Sequence, residues 1–320
     1  MPLTQAILAT LSYFDGVFGF PLTLEEASKH LLNAKITHPS LNELKKALEN
    51  CDKIEKINNR YQLKKIMPSL KNSDTLPSEI EQEIVAKHWK KVKRFQWVFT
   101  LVPYLELVAV CNNLSFNHVT QSSDIDLLVV TKPNRLFIGR LLLTFWLQIL
   151  GIRRHGNKIA GRFCLSFFIT SHHLNLETIK IHDQDIYLAY WLKTLQPVMG
   201  KKEIYDQLLD QNASWLSFFF KTPLEPQLHH FKPSSKTLEI PKKIQEKILN
   251  TRWGDRLETY LEHWQTHRAQ SKQKTLSSRS SIMIKKDMLK FHNVDRRKEF
   301  YETWQKVLRQ INQGADKDLL

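Results

Sequence analysis

A chain of 320 residues with 42% hydrophobic and 25% charged residues is long enough for two or three domains and a sizeable core. A net charge of +15 points to polyanionic partners, nucleic acid or nucleotide phosphates ahead of membrane, with a merely basic protein as the alternative. Cys51, Cys111 and Cys164 lie far apart without Cys-x-x-Cys spacing, which argues against a disulfide framework and predicts a reducing, cytoplasmic setting.

Residues 1–70 have a logic of their own. Ala6 to Phe14 predicts an apolar helix, stopped by Asp15-Gly16. Thr23-x-x-Glu26 is a capping box opening a helix through Leu32, and Ser40-x-x-Glu43 opens another through Cys51. Ile54 to Ile57 and Arg60 to Leu63 flank Asn58-Asn59 in a hairpin pattern. Helices followed by a two-stranded wing resemble a winged-helix domain. In its candidate recognition helix, Lys45 and Lys46 are balanced by Glu43 and Glu49, which favours protein contact over operator reading. Lys56, Arg60, Lys64 and Lys65 in the wing keep DNA as the alternative.

Lys71 to Pro77 reads as a linker, and Ser78 to about Leu101 as one long helix with Ile80, Ile84, Trp89, Val92, Phe95 and Phe99 roughly along one stripe. Glu106 to Cys111 is a short apolar strand leading into the polar turn Asn112-Asn113-Leu114-Ser115. After Ser123-Asp124-Ile125-Asp126, the run Leu127 to Val130 has the character of a strand buried on both faces. Leu141 to Ile152 predicts a helix on the sheet, ended by Gly151 and too short for a bilayer, and Arg162 to Thr170 predicts a further strand. No basic segment followed by a cleavable apolar core marks the N-terminal sequence as a secretion signal. Beyond about residue 180 the pattern is helical. Tyr187 to Leu192 and Trp215 to Phe220 read as core, with base stacking as the alternative, and Pro223 to Pro241 reads as a loop. Ile244 to Gln270 and Arg296 to Ile311 are amphipathic, and Arg268 to Lys290 is a flexible basic arm.

The chemistry centres on Asp124 and Asp126. Positions two apart on a strand share a face, so the two carboxylates leave the sheet together and repel unless a cation neutralises them. Oxygen-only ligands select a hard metal, Mg²⁺ before Zn²⁺. A strand, a tight polar turn and a strand opening with Ser-Asp-x-Asp resemble the nucleotidyltransferase superfamily of DNA polymerase beta and the minimal nucleotidyltransferases, over residues 105–131 and more loosely to about 200. The resemblance implies an α+β fold, with a mixed-sheet core and its leading helix at 78–178. An N-terminal winged-helix domain (1–70) and a mostly helical C-terminal region (179–320) carrying the basic arm 268–290 would flank it. It implies Mg²⁺ on catalytic Asp124 and Asp126, with Asn112, Asn113, Ser115 and Ser123 lining a phosphate turn. The substrate is then an NTP, ATP first, whose nucleoside monophosphate passes to a hydroxyl acceptor that the sequence does not choose.

Two departures stand beside this resemblance. Asn112-Asn113 replaces the family's Gly-Ser, and the strand Arg162 to Thr170 lacks the third carboxylate, Ser166 being its only central polar residue. Glu177, Asp183 and Asp185 lie outside that strand. The alternatives are therefore a degenerate nucleotide-binding sensor or scaffold, and a nucleic-acid-binding regulator using the basic surface. Lys290 to Arg297 reads as helix capping by Asp295 with solvated arginines, or alternatively as a phosphate clamp. His172-His173 and His229-His230 read as surface pairs.

Overall fold

The computed structural model describes residues 1–33, 39–64, 78–221, 224–233, 236–274, 281–292 and 295–317. The expected linker at 71–77 and Lys65 of the wing lie outside them. The chain opens with α1 (Leu3–Leu11), which runs directly into a π-helical turn, Ser12–Val17. Asp15-Gly16 therefore sits inside this first helical segment and does not stop it. The Asp15 carboxylate accepts from the Leu63 amide, which ties the turn to the hairpin. Both capping boxes form, opening α2 (Leu24–Lys29) and α3 (Leu41–Glu49). Strands β1 (Ile54–Ile57) and β2 (Arg60–Leu63) pair antiparallel around Asn58 and Asn59, both with positive φ, as a tight hairpin turn requires.

After α4 (Ser78–Leu101), a six-stranded mixed sheet is assembled from β3 (Leu105–Cys111), β4 (Ile125–Thr131), β5 (Phe163–Thr170), β6 (Gln196–Gly200), β7 (Ser281–Lys285) and β8 (Met288–His292). Its order is β6-β3-β4-β5-β8-β7, with β4 and β5 parallel and every other pairing antiparallel. The crossover between the parallel pair carries α5 (Leu136–Ile149), which ends at Gly151 with φ +65°. The remaining helices are α6 (Ile186–Lys193), α7 (Lys202–Leu216), α8 (Lys236–Leu249), α9 (Arg252–Lys274) and α10 (Arg297–Lys317). The 268–290 segment is thus not a free arm in its described part. It continues α9 and then supplies the last two strands. Residues 236–241, expected as loop, are helical with Pro241 inside α8. The α+β expectation holds.

The sheet is buried on both faces because its central strands are apolar at odd and even positions alike. Leu107, Ala109, Leu128 and Val130 face a core shared with the N-terminal helices, α6, α7 and α10. Val108, Val110, Leu127 and Val129 face a second core built with α4, α5 and α9. Among the described residues no helix is long and apolar enough to cross a membrane.

Two glutamates fasten the C-terminal helices to this frame. The Glu246 carboxylate on α8 accepts from the Tyr104 amide at 2.9 Å and pairs with Lys132 at 2.6 Å. Glu258 on α9 accepts from the Phe137 and Ile138 amides, each at 2.8 Å. No residue of α5 caps its own start, so Glu258 does so from another helix. Glu258→Ala is expected to cost about 2 kcal/mol, because two buried amides lose their acceptor. The measurement is a lower urea midpoint at unchanged m-value.

Candidate functional site: an aspartate pair at the mouth of the sheet

Asp126 is the second residue of β4, and Asp124 immediately precedes the strand. Their carboxylate oxygens and the Cys164 sulfur all lie within 4.8 Å of one another. The pair therefore leaves the sheet on one side, as the i, i+2 spacing predicts. Cys164 completes the group because parallel pairing of β4 with β5 places it in register with Asp126. That is the strand on which a third carboxylate was sought. Glu177 is paired with Lys180, Asp183 is exposed, and Asp185 caps α6, so none of the three joins the group.

Each member of the pair has a distinct partner. Arg154, from the turn after α5, donates to Asp124 at 2.6 Å and also reaches the Cys164 sulfur at 3.6 Å. The Asn112 amide nitrogen donates to Asp126 at 2.8 Å, and its oxygen accepts from the Tyr187 hydroxyl at 3.1 Å. The Tyr187 bond fixes which end of the Asn112 amide faces the carboxylate. Burial, and then the charge of Asp124, raise the Asp126 pKa to about 6, against the hydrogen bond from Asn112. The Cys164 thiol is pushed far up by burial and by the two carboxylates, so it stays protonated beside them.

Asn112 has φ +57°. This is the left-handed region that glycine occupies readily and that asparagine tolerates better than most residues. The Asn112 turn is a short 3₁₀ helix, Asn112–Phe116, held by the Ser115 hydroxyl donating to the Asn112 carbonyl at 2.7 Å. The Ser123 hydroxyl accepts from the Thr120 amide at 2.8 Å and closes the loop before β4. Of the four residues expected to line a phosphate turn, Ser115 and Ser123 hold loops, Asn112 binds Asp126, and Asn113 is solvent-exposed.

A cavity of about 210 Å³ borders this group through Asn112, with Tyr187, Lys290, Arg296 and Arg297 among its walls. Neither aspartate lines it. The expected capping by Asp295 forms and Arg296 is exposed, but Arg297 is buried in an ionic latch rather than solvated. Arg297 donates to Asp185 and to the Ile179 carbonyl, each at 2.9 Å, and Asp295 caps α10 by accepting from the Arg297 amide. Lys290, buried and beside Arg297, has its pKa lowered to about 8 although Asp295 faces it. Sequence reasoning missed Arg154 and Cys164. Arg154 lies in a basic turn sequence and Cys164 in an apolar strand, so neither carries a signal of its own.

The raised Asp126 pKa carries a sign. The folded value of about 6 exceeds the usual 3.8, so the ionised carboxylate costs stability above pH 6, and the cost fades as pH falls toward 4. Asp126→Asn is expected to stabilise the metal-free protein by on the order of 1 kcal/mol at pH 7, with no gain at pH 4. Urea unfolding at the two pH values measures the difference.

No protein-family model matches the chain, and no curated protein matches it.

Proposed function

We propose that the chain is a nucleotidyltransferase-type protein that binds Mg·NTP, ATP first, through Asp124 and Asp126, and transfers the nucleoside monophosphate to a hydroxyl acceptor. One observation carries this reading: two carboxylates leave the mouth of a buried strand side by side, beside a tight turn whose leading residue has glycine-type backbone. The donor set fits Mg²⁺, which takes one or two carboxylates and fills its remaining positions with water and phosphate oxygens. When bound, Mg²⁺ supplies charge neutralisation for the phosphates. In the residues' own chemistry, Asn112 orients Asp126, Arg154 offers a guanidinium at the carboxylates for phosphate oxygens, and the Asn113 amide faces solvent at the turn. The α1–α3 helices followed by the β1–β2 hairpin support a winged-helix reading of the N-terminal part. Lys56 near Glu49, and Arg60 on Glu26, temper its charge and favour protein contact over DNA.

A second reading, nucleotide binding without turnover, is favoured by one observation: β5, the neighbouring strand on which the resemblance implies a third carboxylate, carries none, and its residue in register with Asp126 is Cys164. The test is Mg²⁺-dependent ATP binding together with pyrophosphate release over nucleic-acid, protein and small-molecule hydroxyl acceptors. Binding with release supports transfer, and binding without release supports the second reading. ATP affinity that ignores Mg²⁺ removes both. Cys164→Asp is expected to raise release about tenfold or more if transfer is limited by the missing base.

A further inference from the structure

On the other face of the sheet, α5, α9 and the strand edge at β5, β7 and β8 enclose a cavity of about 370 Å³. Three guanidinium-bearing residues line it: Arg140 from α5, Arg153 from the turn after α5, and Arg268 from α9. Among the described residues that line it there is no acid, and no described carboxylate forms an ion pair with any of the three. Arg140 donates to the Gln265 side chain and stacks over Phe291 at 4.6 Å, while its Nε is shielded from solvent with no hydrogen-bond partner. Burial, then Arg153 and Arg268, lower its pKa to about 10. The Arg153 guanidinium donates to the Gln148 side chain at 3.1 Å, and Arg268 rests over the Trp264 ring at 5.7 Å.

Three like charges around one hollow repel each other, and partial dehydration of Arg140 removes the water that would screen them. The repulsion is relieved by an anion of matching charge. A carboxylate brings one negative charge, whereas a phosphate or diphosphate brings two or more and presents oxygens that match planar guanidinium forks. The volume lies at the lower end of the range for small-molecule sites.

We propose that this cavity is an anion site for a phosphate-bearing ligand, held by Arg140, Arg153 and Arg268. It stands independently of the nucleotide reading at Asp124 and Asp126. Two sources share this chemistry: a free di- or polyphosphate, and the 5′-terminal phosphate of a nucleic-acid strand. Calorimetric titration of the full chain in metal-free buffer with pyrophosphate, and separately with a single-stranded oligonucleotide with and without a 5′-phosphate, tells them apart. Pyrophosphate binding assigns a free phosphate, and preference for the 5′-phosphorylated strand without pyrophosphate binding assigns a strand end. In either case Arg153→Gln and Arg268→Gln, both at the rim, are expected to weaken binding tenfold or more each, and Asp126→Ala to leave it unchanged. Quenching of Trp264 fluorescence on binding, lost in Trp264→Phe, places the ligand in this cavity. Absence of binding by pyrophosphate and by the phosphorylated strand, or wild-type affinity in both arginine variants, overturns the proposal.

Discussion

Alanine at Asp124 or at Asp126 is expected to weaken Mg²⁺-dependent ATP binding about a hundredfold or more, and to remove any pyrophosphate release. The magnitude follows from the role. Loss of a residue that merely orients a metal ligand costs ten- to a hundredfold, and these two are the proposed ligands themselves. The two variants also carry an internal control. Asp126 is a destabilising ion in the metal-free protein, so Asp126→Ala removes a burial cost while it removes binding. Weaker binding in a protein that unfolds no earlier cannot be assigned to general collapse. Below pH 6, protonation of Asp126 competes with the cation, and Mg²⁺ affinity is expected to fall up to about tenfold per pH unit. Equal ATP affinity in wild type and both alanine variants would sink the site.

Gly200→Ala is expected to be a severely damaging small substitution, at roughly 4 kcal/mol or more. Gly200 ends β6 with φ +132°, a conformation that L side chains rarely adopt. An added methyl there would also collide with the Glu106 carbonyl and lie 2.6 Å from the Leu107 Cα, in the paired backbone of β3. Neither partner can swing away without breaking the β3–β6 register. Gly151→Ala is the comparison. Its φ of +65° is also positive, but nothing lies within 4 Å of the added methyl, so the cost is limited to about 1–2 kcal/mol of backbone strain. Parallel urea titrations, or a soluble-expression comparison if Gly200→Ala does not fold, give the contrast.

The parts of the fold written in short-range chemistry were legible. The long helix Ser78–Leu101, both capping boxes and the Asn58-Asn59 hairpin follow from stripes, caps and turn residues within a few positions of one another. The parts fixed by distant partners were not. In β6, Pro197 hides the strand pattern, and the strand is tolerated because it lies at the sheet edge. Strands β7 and β8 read as part of a basic stretch because Lys285, Lys286 and Lys290 and the many cations upstream dominate the composition, yet Ile282 to Ile284 and Met288-Leu289 pair to complete the sheet. Asp15-Gly16 was read as a stop, and tertiary packing overrode it: a Cβ at Gly16 would touch Val307 of α10. At the candidate site, the side-by-side aspartates were visible in four residues of sequence. Arg154 and Cys164 were not, because the parallel β4–β5 pairing brings Cys164 there and the backbone bond of Arg154 to Phe163 brings the guanidinium.

The indole nitrogen of Trp304 in α10 donates to the Ala9 carbonyl across 295 residues of chain, and both elements share one core. A ribosome synthesises the greasy first segment long before its cover exists. At roughly 5–20 residues per second, the interval is on the order of 15–60 s. During that time the Ala9 carbonyl lacks its indole partner, and the sheet lacks the two strands at its far edge for nearly as long. This core therefore cannot close before α10 has been synthesised.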